Sequence, residues 1–257
     1  MKNKIKKIIN KKRKKPIICL TAYSKSIAKI TDKYCDLILV GDSLANVLYG
    51  MKNTHSVNMN MMIRHTQSVK MGVKNSLLIV DMPKNSYRNS KEAKRNAKRI
   101  LKETKCDGVK IESNNKNFKI IKDLVKSNIP VMGHIGFTPQ FHKKFSVAGK
   151  STTQELQLLN EAVKIERAGA FSIILECIKT KTAKRITERL NIPTIGIGSS
   201  KYCDGQILVT DDLIGLSGFY PKFVKRYINL EKIIAKAIQK YRSDVLKKLF
   251  PKNNNSY

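Results

Sequence analysis

Leu37-Ile38-Leu39-Val40-Gly41-Asp42-Ser43 decides the fold. An apolar, β-branched run stops abruptly at Gly-Asp-Ser. A buried parallel strand that delivers a carboxylate to the rim of a barrel or open sheet has this pattern. The same design recurs downstream. Leu77-Leu78-Ile79-Val80 ends in Asp81, and Gly108-Val109-Lys110-Ile111 ends in Glu112. Phe171-Ser172-Ile173-Ile174-Leu175 ends in Glu176. Carboxylates that each close an apolar run are poorly explained as solvated surface. Converging on one rim, such a set holds a hard divalent cation and supplies a base.

Strand-like and helix-like segments alternate along the whole chain. Candidate strands span residues 17–20, 37–40, 77–80, 108–111, 130–133, 171–175, 193–196 and 206–209. Amphipathic segments at 90–104, 117–127, 153–168 and 180–190 lie between them. About eight strand–helix repeats in 257 residues predict a single-domain α/β fold, the (β/α)8 TIM barrel, whose usual length is about 250 residues. An open doubly wound sheet is the alternative, but no glycine-rich phosphate loop follows the first strand. Residues 1–15 are expected to form a basic, solvated or helical lead-in. Residues 230–250 should form a last helix, and 251–257 a frayed tail. Ser90 is placed to cap the helix that it opens. Pro193 ends the helix that runs through Leu190, because the residue before proline is pushed out of helical geometry.

The chain carries 51 Lys and Arg against 19 Asp and Glu, a formal net charge of +32. That excess raises the question of nucleic-acid binding. The distribution argues against it. Lysine far outnumbers arginine, the better reader of phosphate and base edges. The lysines are spread over the whole length, and only 7% of residues are aromatic, with no aromatic–basic alternation to stack bases. The charge should still draw anionic substrates. Five widely separated cysteines without a CxxC pair fit reduced thiols in a cytoplasmic protein, not a disulfide frame or zinc site. Cys177 follows Glu176 directly, so strand alternation turns it the other way. No apolar run approaches the roughly 18 residues of a membrane span, and the basic N-terminus lacks the apolar core of a secretory signal.

In a barrel the chemistry sits at the C-terminal ends of the strands. Those ends carry Thr21, Asp42 with Ser43, Asp81, Lys110 with Glu112, His134, Glu176, and Gly198 with Ser199. Asp42 and Asp81 are the candidate metal ligands, with Glu112 bound directly or through water. All-oxygen donors favour Mg2+ over Zn2+. Either aspartate alone could instead cap the loop after its strand. Lys110 and Glu112 share parity and point to one face, so they either pair with each other or leave Lys110 for a substrate carboxylate. His134 lies in Gly133-His134-Ile135-Gly136 and is either a hydrogen-bonded structural histidine or a substrate contact; the latter is adopted. Glu176 closes a wholly apolar run, where burial raises a carboxyl pKa toward the range of a general base. A salt bridge to a neighbouring lysine is its alternative. His55, His65 and His142 receive no role.

Several motifs follow one another in a fixed order along the chain. They are Leu20-Thr21-Ala22-Tyr23, Leu39-Val40-Gly41-Asp42-Ser43-Leu44, Asp81-Met82-Pro83 and Val109-Lys110-Ile111-Glu112. Gly133-His134-Ile135-Gly136-Phe137-Thr138-Pro139-Gln140, Leu175-Glu176-Cys177, Ala183-Lys184-Arg185-Ile186-Thr187 and Ile195-Gly196-Ile197-Gly198 follow. Cys203-Asp204-Gly205-Gln206-Ile207-Leu208-Val209 and Pro221-Lys222-Phe223-Val224-Lys225 complete the set. Taken in order, these motifs resemble the ketopantoate hydroxymethyltransferase family.

The resemblance implies a TIM barrel, a large homo-oligomer (often a decamer), and the first committed step toward pantothenate. It implies Mg2+ on Asp42 and Asp81 with Glu112 nearby, and a 2-oxo acid touching Asp42, Ser43, Asp81 and Lys110. Glu176 would be the proton acceptor, and 5,10-methylenetetrahydrofolate the co-substrate. Ser24, Ala45-Asn46, Lys84, Ser113-Asn114 and Ser199-Ser200 depart from the family's usual residues. Ser113 stands where glycine is usual and would be strained if that position needs positive φ. Two other classes remain in view. One is a Mg2+-dependent lyase or phosphonomutase-like barrel, which would favour a cysteine-bearing catalytic loop. The other is a basic nucleic-acid protein on a barrel scaffold, which the rim carboxylates oppose.

Overall fold

The computed structural model describes residues 2–115, 117–142, 144–218 and 220–257, with the Lys2 side chain excepted. Met1, within the expected lead-in, lies outside the described residues. Eight parallel strands close into a barrel in sequence order. They are β1 (Ile17–Thr21), β2 (Leu37–Val40), β3 (Leu77–Asp81), β4 (Gly108–Glu112), β5 (Val131–Gly136), β6 (Ser172–Glu176), β7 (Thr194–Ile197) and β8 (Gly205–Leu208). The helices are α1 (Lys2–Ile9), α2 (Lys25–Thr31), α3 (Leu44–Val47), α4 (Met59–Lys70), α5 (Ser90–Thr104), α6 (Phe118–Lys126), α7 (Thr152–Arg167), α8 (Thr180–Arg189), α9 (Thr210–Leu213) and α10 (Leu230–Leu246). No helix separates β7 from β8. Among the described residues, no helix is long and apolar enough to cross a membrane.

Strand alternation sorts the side chains into two cores. Leu78, Val80, Val109, Ile111, Val131, Ile173 and Leu175 face outward and pack with the helices. Ile17, Cys19, Leu37, Leu39, Leu77, Ile79, Met132, Ile174, Ile195 and Ile207 fill the barrel interior. Following the interior parity along each strand changes its chemistry. Leu77 and Ile79 lead to Asp81, Met132 leads to His134, and Ile174 leads to Glu176. The interior is thus apolar below and polar at the C-terminal rim.

The lead-in does more than a solvated arm would. Ile5, Ile8 and Ile9 recur at helical spacing on α1. Ile8 is buried in the interior core, and Ile5 and Ile9 pack against it. The α5 cap differs from expectation. Asn89, not Ser90, accepts from the Glu92 amide at 2.9 Å, while the Ser90 hydroxyl donates to Asp123 at 2.6 Å. Both residue types can cap, and the extended backbone at Asn89 settles which one does.

The chain divides into two compact units, residues 1–209 and 210–257. Within the second, the Tyr227 amide donates to the Leu213 carbonyl and the Leu230 amide to that of Ile214. The last helix stops at Leu246, four residues before the expected end, where Lys248 takes a left-handed φ of 55°. Residues 251–257 are exposed throughout, with one 3-10 turn at Asn253–Asn255.

Candidate active site

Gly41 opens the rim. A Cβ there would stand 2.9 Å from Ser43 Oγ and 3.5 Å from Asp81 Oδ2, so glycine lets the two polar groups close in. The Asp42 amide donates to Asp81 Oδ2 at 3.0 Å. Lys110 Nζ donates to Asp81 Oδ1 at 2.6 Å, with the two side chains only 5% and 3% exposed. Strand register sets this pair, since Asp81 stands opposite Lys110. The Lys110–Glu112 pair open at the sequence level is therefore replaced by Lys110–Asp81. Burial pulls the ammonium pKa down, but Asp81, Glu112 and Asp42 outweigh it and hold Lys110 charged.

Three further residues tie the rim together. The Tyr23 hydroxyl lies 2.8 Å from Ser43 Oγ. Gln140 donates from Nε2 to Asp42 Oδ2 at 2.8 Å and from its backbone amide to Glu112 Oε2 at 2.9 Å. The Tyr87 hydroxyl donates to Gln140 Oε1 at 2.5 Å. Burial first, then Asp81, pushes the Asp42 pKa up to about 7, while Lys110 and Gln140 pull it back. Burial, with Asp42 second, also raises Glu112 well above the usual carboxyl range.

His134 lies between two acids. Its Nε2 is 3.2 Å from Glu176 Oε2 and its Nδ1 is 3.7 Å from Glu112 Oε1. Neither of these two contacts has hydrogen-bond geometry. Burial, helped by Lys110, lowers its pKa well below that of free imidazole, so the ring is neutral. Burial raises the Glu176 carboxyl to about 8, with Lys110 opposing and Asp81 assisting. Its near neighbour is His134, not the lysine considered above.

The backbone around Glu176 is tightly held. Gly136 has φ +97°, and a Cβ there would lie 2.1 Å from the Glu176 carbonyl oxygen. The Phe137 amide donates to that same oxygen at 2.9 Å. Cys177 adopts φ 51°, strained for a non-glycine residue, and its amide donates to the Ile197 carbonyl at 2.8 Å. Ser199 Oγ donates to the Leu175 carbonyl at 2.6 Å and accepts from the Ile178 amide at 3.0 Å. The hydroxyl thereby bridges the backbone on both sides of Glu176.

Asp42, Ser43, Asp81, Lys110, Glu112, His134 and Glu176 are thus joined by consecutive contacts at one barrel end. Ser113 is buried without positive φ, so the strain considered for it does not arise; the left-handed residue in that loop is Asn115 at φ 62°. Asn46 Nδ2 donates to the Met51 carbonyl at 2.9 Å, and Lys84 Nζ lies 3.2 Å from His55 Nδ1. Ser24 precedes α2 without a side-chain capping bond, and Ala45 is buried in α3. Among the described residues, no three His, Cys, Asp or Glu side chains form a ready-made metal-chelating group.

Residues 2–253 match the family described as ketopantoate hydroxymethyltransferase. The chain belongs to this family. Membership makes it a transferase of the hydroxymethyltransferase class. The 3-methyl-2-oxobutanoate hydroxymethyltransferase of Pelagibacter ubique (strain HTCC1062) is 53% identical over 257 residues, covering 100% of both chains. The enzyme of the same name from Pseudothermotoga lettingae is 48% identical, covering 98% of each. Among solved structures, phosphoenolpyruvate phosphomutase from Streptomyces platensis subsp. rosaceus shares the fold. Its TM-score is 0.65 at 10% identity, covering 96% of this chain and 88% of that one. At that identity the likeness shows the fold alone.

Sequence reasoning assigned no role to Gln140, Tyr23 or Tyr87. Gln140 closes the quoted Gly133–Gln140 motif and Tyr23 closes Thr-Ala-Tyr, so position was the available signal. Nothing in the sequence marked Tyr87.

Proposed function

We propose that this chain transfers a hydroxymethyl group from 5,10-methylenetetrahydrofolate to 3-methyl-2-oxobutanoate, giving 2-dehydropantoate, the first step toward pantothenate, with Mg2+ as its cofactor. The observation that carries this reading is the half-buried Glu176 carboxyl. It is poised as a base near pH 8, in contact with neutral His134 at the same rim as the Asp81–Lys110 pair.

The residues fit a hard divalent cation. Asp42, Asp81 and Glu112 offer oxygen donors only, and Lys110 is the ammonium that pairs with Asp81. The space beside Ser43 and Asp81 that a Cβ at Gly41 would fill is kept open. Mg2+ keeps several waters and needs only one or two protein carboxylates, so a ready-made group of three is not required. Asp42 and Asp81 would hold it, with Glu112 beside them. A bound Mg2+ would draw electron density from the substrate's keto group.

The chain's own groups supply the rest. Lys110, held charged by Asp81, offsets the substrate carboxylate. Ser43, oriented by the Tyr23 hydroxyl, donates to the bound acid. His134, beside Glu176 at the same rim, hydrogen-bonds the substrate. Glu176 accepts the proton from C3 onto its carboxylate. The C3 electron pair then forms the bond to the one-carbon unit, tetrahydrofolate leaves, and water provides the new hydroxyl oxygen.

The reading extends to assembly and location. A homo-oligomer, the decamer implied by the resemblance, is favoured by α10. It has no buried residue, and Ile234, Ile238, Tyr241 and Val245 form one exposed stripe along it. The protein is proposed to work in the cytoplasm without nucleic acid or membrane partners. Incubation with both substrates and Mg2+, followed by mass spectrometry, tests the activity. Formation of 2-dehydropantoate is expected; folded protein that forms none overturns the proposal.

A further inference from the structure

We propose that Gln140, backed by Tyr87, is a positioning residue that fixes the Asp42 and Glu112 carboxylates for a divalent cation. The inference rests on the Mg2+ reading above and adds to it the residues that shape the site.

Gln140 is 1% exposed and lies after β5, far in sequence from both acids. Its polar groups are engaged on every side. Nε2 donates to Asp42 Oδ2 at 2.8 Å and to the Met82 carbonyl at 3.0 Å. Oε1 accepts from the Tyr87 hydroxyl at 2.5 Å, and the backbone amide donates to Glu112 Oε2 at 2.9 Å. One residue thus holds one oxygen of each of two carboxylates that come from different strand ends.

The Asp42 carboxylate and the Met82 carbonyl, which can only accept, give this arrangement its direction, and the Tyr87 hydroxyl completes it on the Oε1 side. An amide can present either oxygen or nitrogen to a neighbour, and only the nitrogen suits a carboxylate. A donor on the Oε1 side and two acceptors on the Nε2 side leave one orientation satisfied. Turning the amide over would place two oxygens against each other at Asp42 and strand the Met82 carbonyl. With Oδ2 of Asp42 and Oε2 of Glu112 held, the second oxygen of each carboxylate has a defined direction. A cation that binds them need not first order two mobile side chains. Outer-sphere partners that orient metal ligands in this way are worth roughly 10–100-fold in affinity.

A residue that served stability alone would give a different signature. Its loss would lower the unfolding midpoint and leave the affinity of the folded protein for metal unchanged.

The test is titration of Mg2+ into the full-length protein by calorimetry, with Mn2+ binding followed by electron paramagnetic resonance as a second readout. Wild type is compared with Gln140→Met and Tyr87→Phe. Gln140→Met keeps the volume and the backbone amide to Glu112 but removes the side-chain bonds to Asp42, Met82 and Tyr87. Its expected effect is a 10–100-fold weaker Kd for both ions. Tyr87→Phe removes one hydroxyl and should weaken binding in the same direction by less. Wild-type affinity in folded Gln140→Met overturns the inference. If that variant does not fold, unchanged affinity in Tyr87→Phe overturns it instead. Wild type that binds neither ion refutes the Mg2+ reading itself and this inference with it. Binding by wild type with unaltered variants refutes only the role of Gln140.

Discussion

Replacing Glu176 by glutamine should remove a pH dependence from the stability of the metal-free protein. Burial raises the carboxyl from 4.5 to about 8 in the folded state. Between those values the folded protein keeps a proton that the unfolded chain has released. Stability from this group is therefore fully present below pH 4.5 and is lost as pH rises through about 8. At about 1.36 kcal/mol per pH unit, the interval amounts to about 5 kcal/mol. The side chain remains 19% exposed, so water screens part of the effect and that figure is an upper bound. A loss of about 2–5 kcal/mol is expected in wild type. The amide of Glu176→Gln cannot ionise and should lack this component. Asp42, raised to about 7 by burial and Asp81, adds a fall of the same sign in both proteins, and it cancels to first order in the comparison. Urea unfolding in EDTA, at intervals across this range, gives both curves. Parallel curves for the two proteins would refute the claim that Glu176 is buried against its charge.

Three further substitutions test the supporting structure. Ile8→Ala should destabilise by about 2–5 kcal/mol, because α1 packs Ile8 into the barrel interior; a solvated arm would give almost no change in urea midpoint. Gly136→Ala should cost more than about 2 kcal/mol and displace Glu176, since φ is +97° and the new Cβ would meet the Glu176 carbonyl. Wild-type stability together with wild-type turnover would contradict that geometry. Ser199→Ala should lose about 1–2 kcal/mol by stranding the Ile178 amide and slow proton abstraction several-fold, as measured by denaturation and by substrate deuterium exchange. An unchanged exchange rate would show that the hydroxyl does not hold Glu176 in place.

The barrel could be read from the sequence because buried parallel strands are nearly continuous apolar runs, and all eight fell within three residues of their observed ends. Three of the boundary differences have one cause. Runs were closed at the last apolar residue, whereas β3, β4 and β6 continue through Asp81, Glu112 and Glu176. Those acids sit in the last strand positions, where the ladder is still formed but the interior has turned polar. The rim residues were legible for the same reason. Their pairing was not. Lys110 could reach Glu112 on its own strand or Asp81 on the next, and only the register across β3 and β4 selects Asp81. The contacts of Gln140 were equally hidden, because 98 residues separate it from Asp42 and a glutamine in a loop carries no periodic signal. The choice of Asn89 over Ser90 as a cap turned on one residue's backbone angles, which neighbouring polar residues do not reveal.

The central claim is that Glu176 abstracts the C3 proton of 3-methyl-2-oxobutanoate in a Mg2+-dependent site. The most direct test is exchange of that proton in D2O, followed by NMR, with purified protein and no folate. Exchange that requires Mg2+ and disappears in Glu176→Gln is expected. Exchange that persists in folded Glu176→Gln, or proceeds equally without Mg2+, would contradict it.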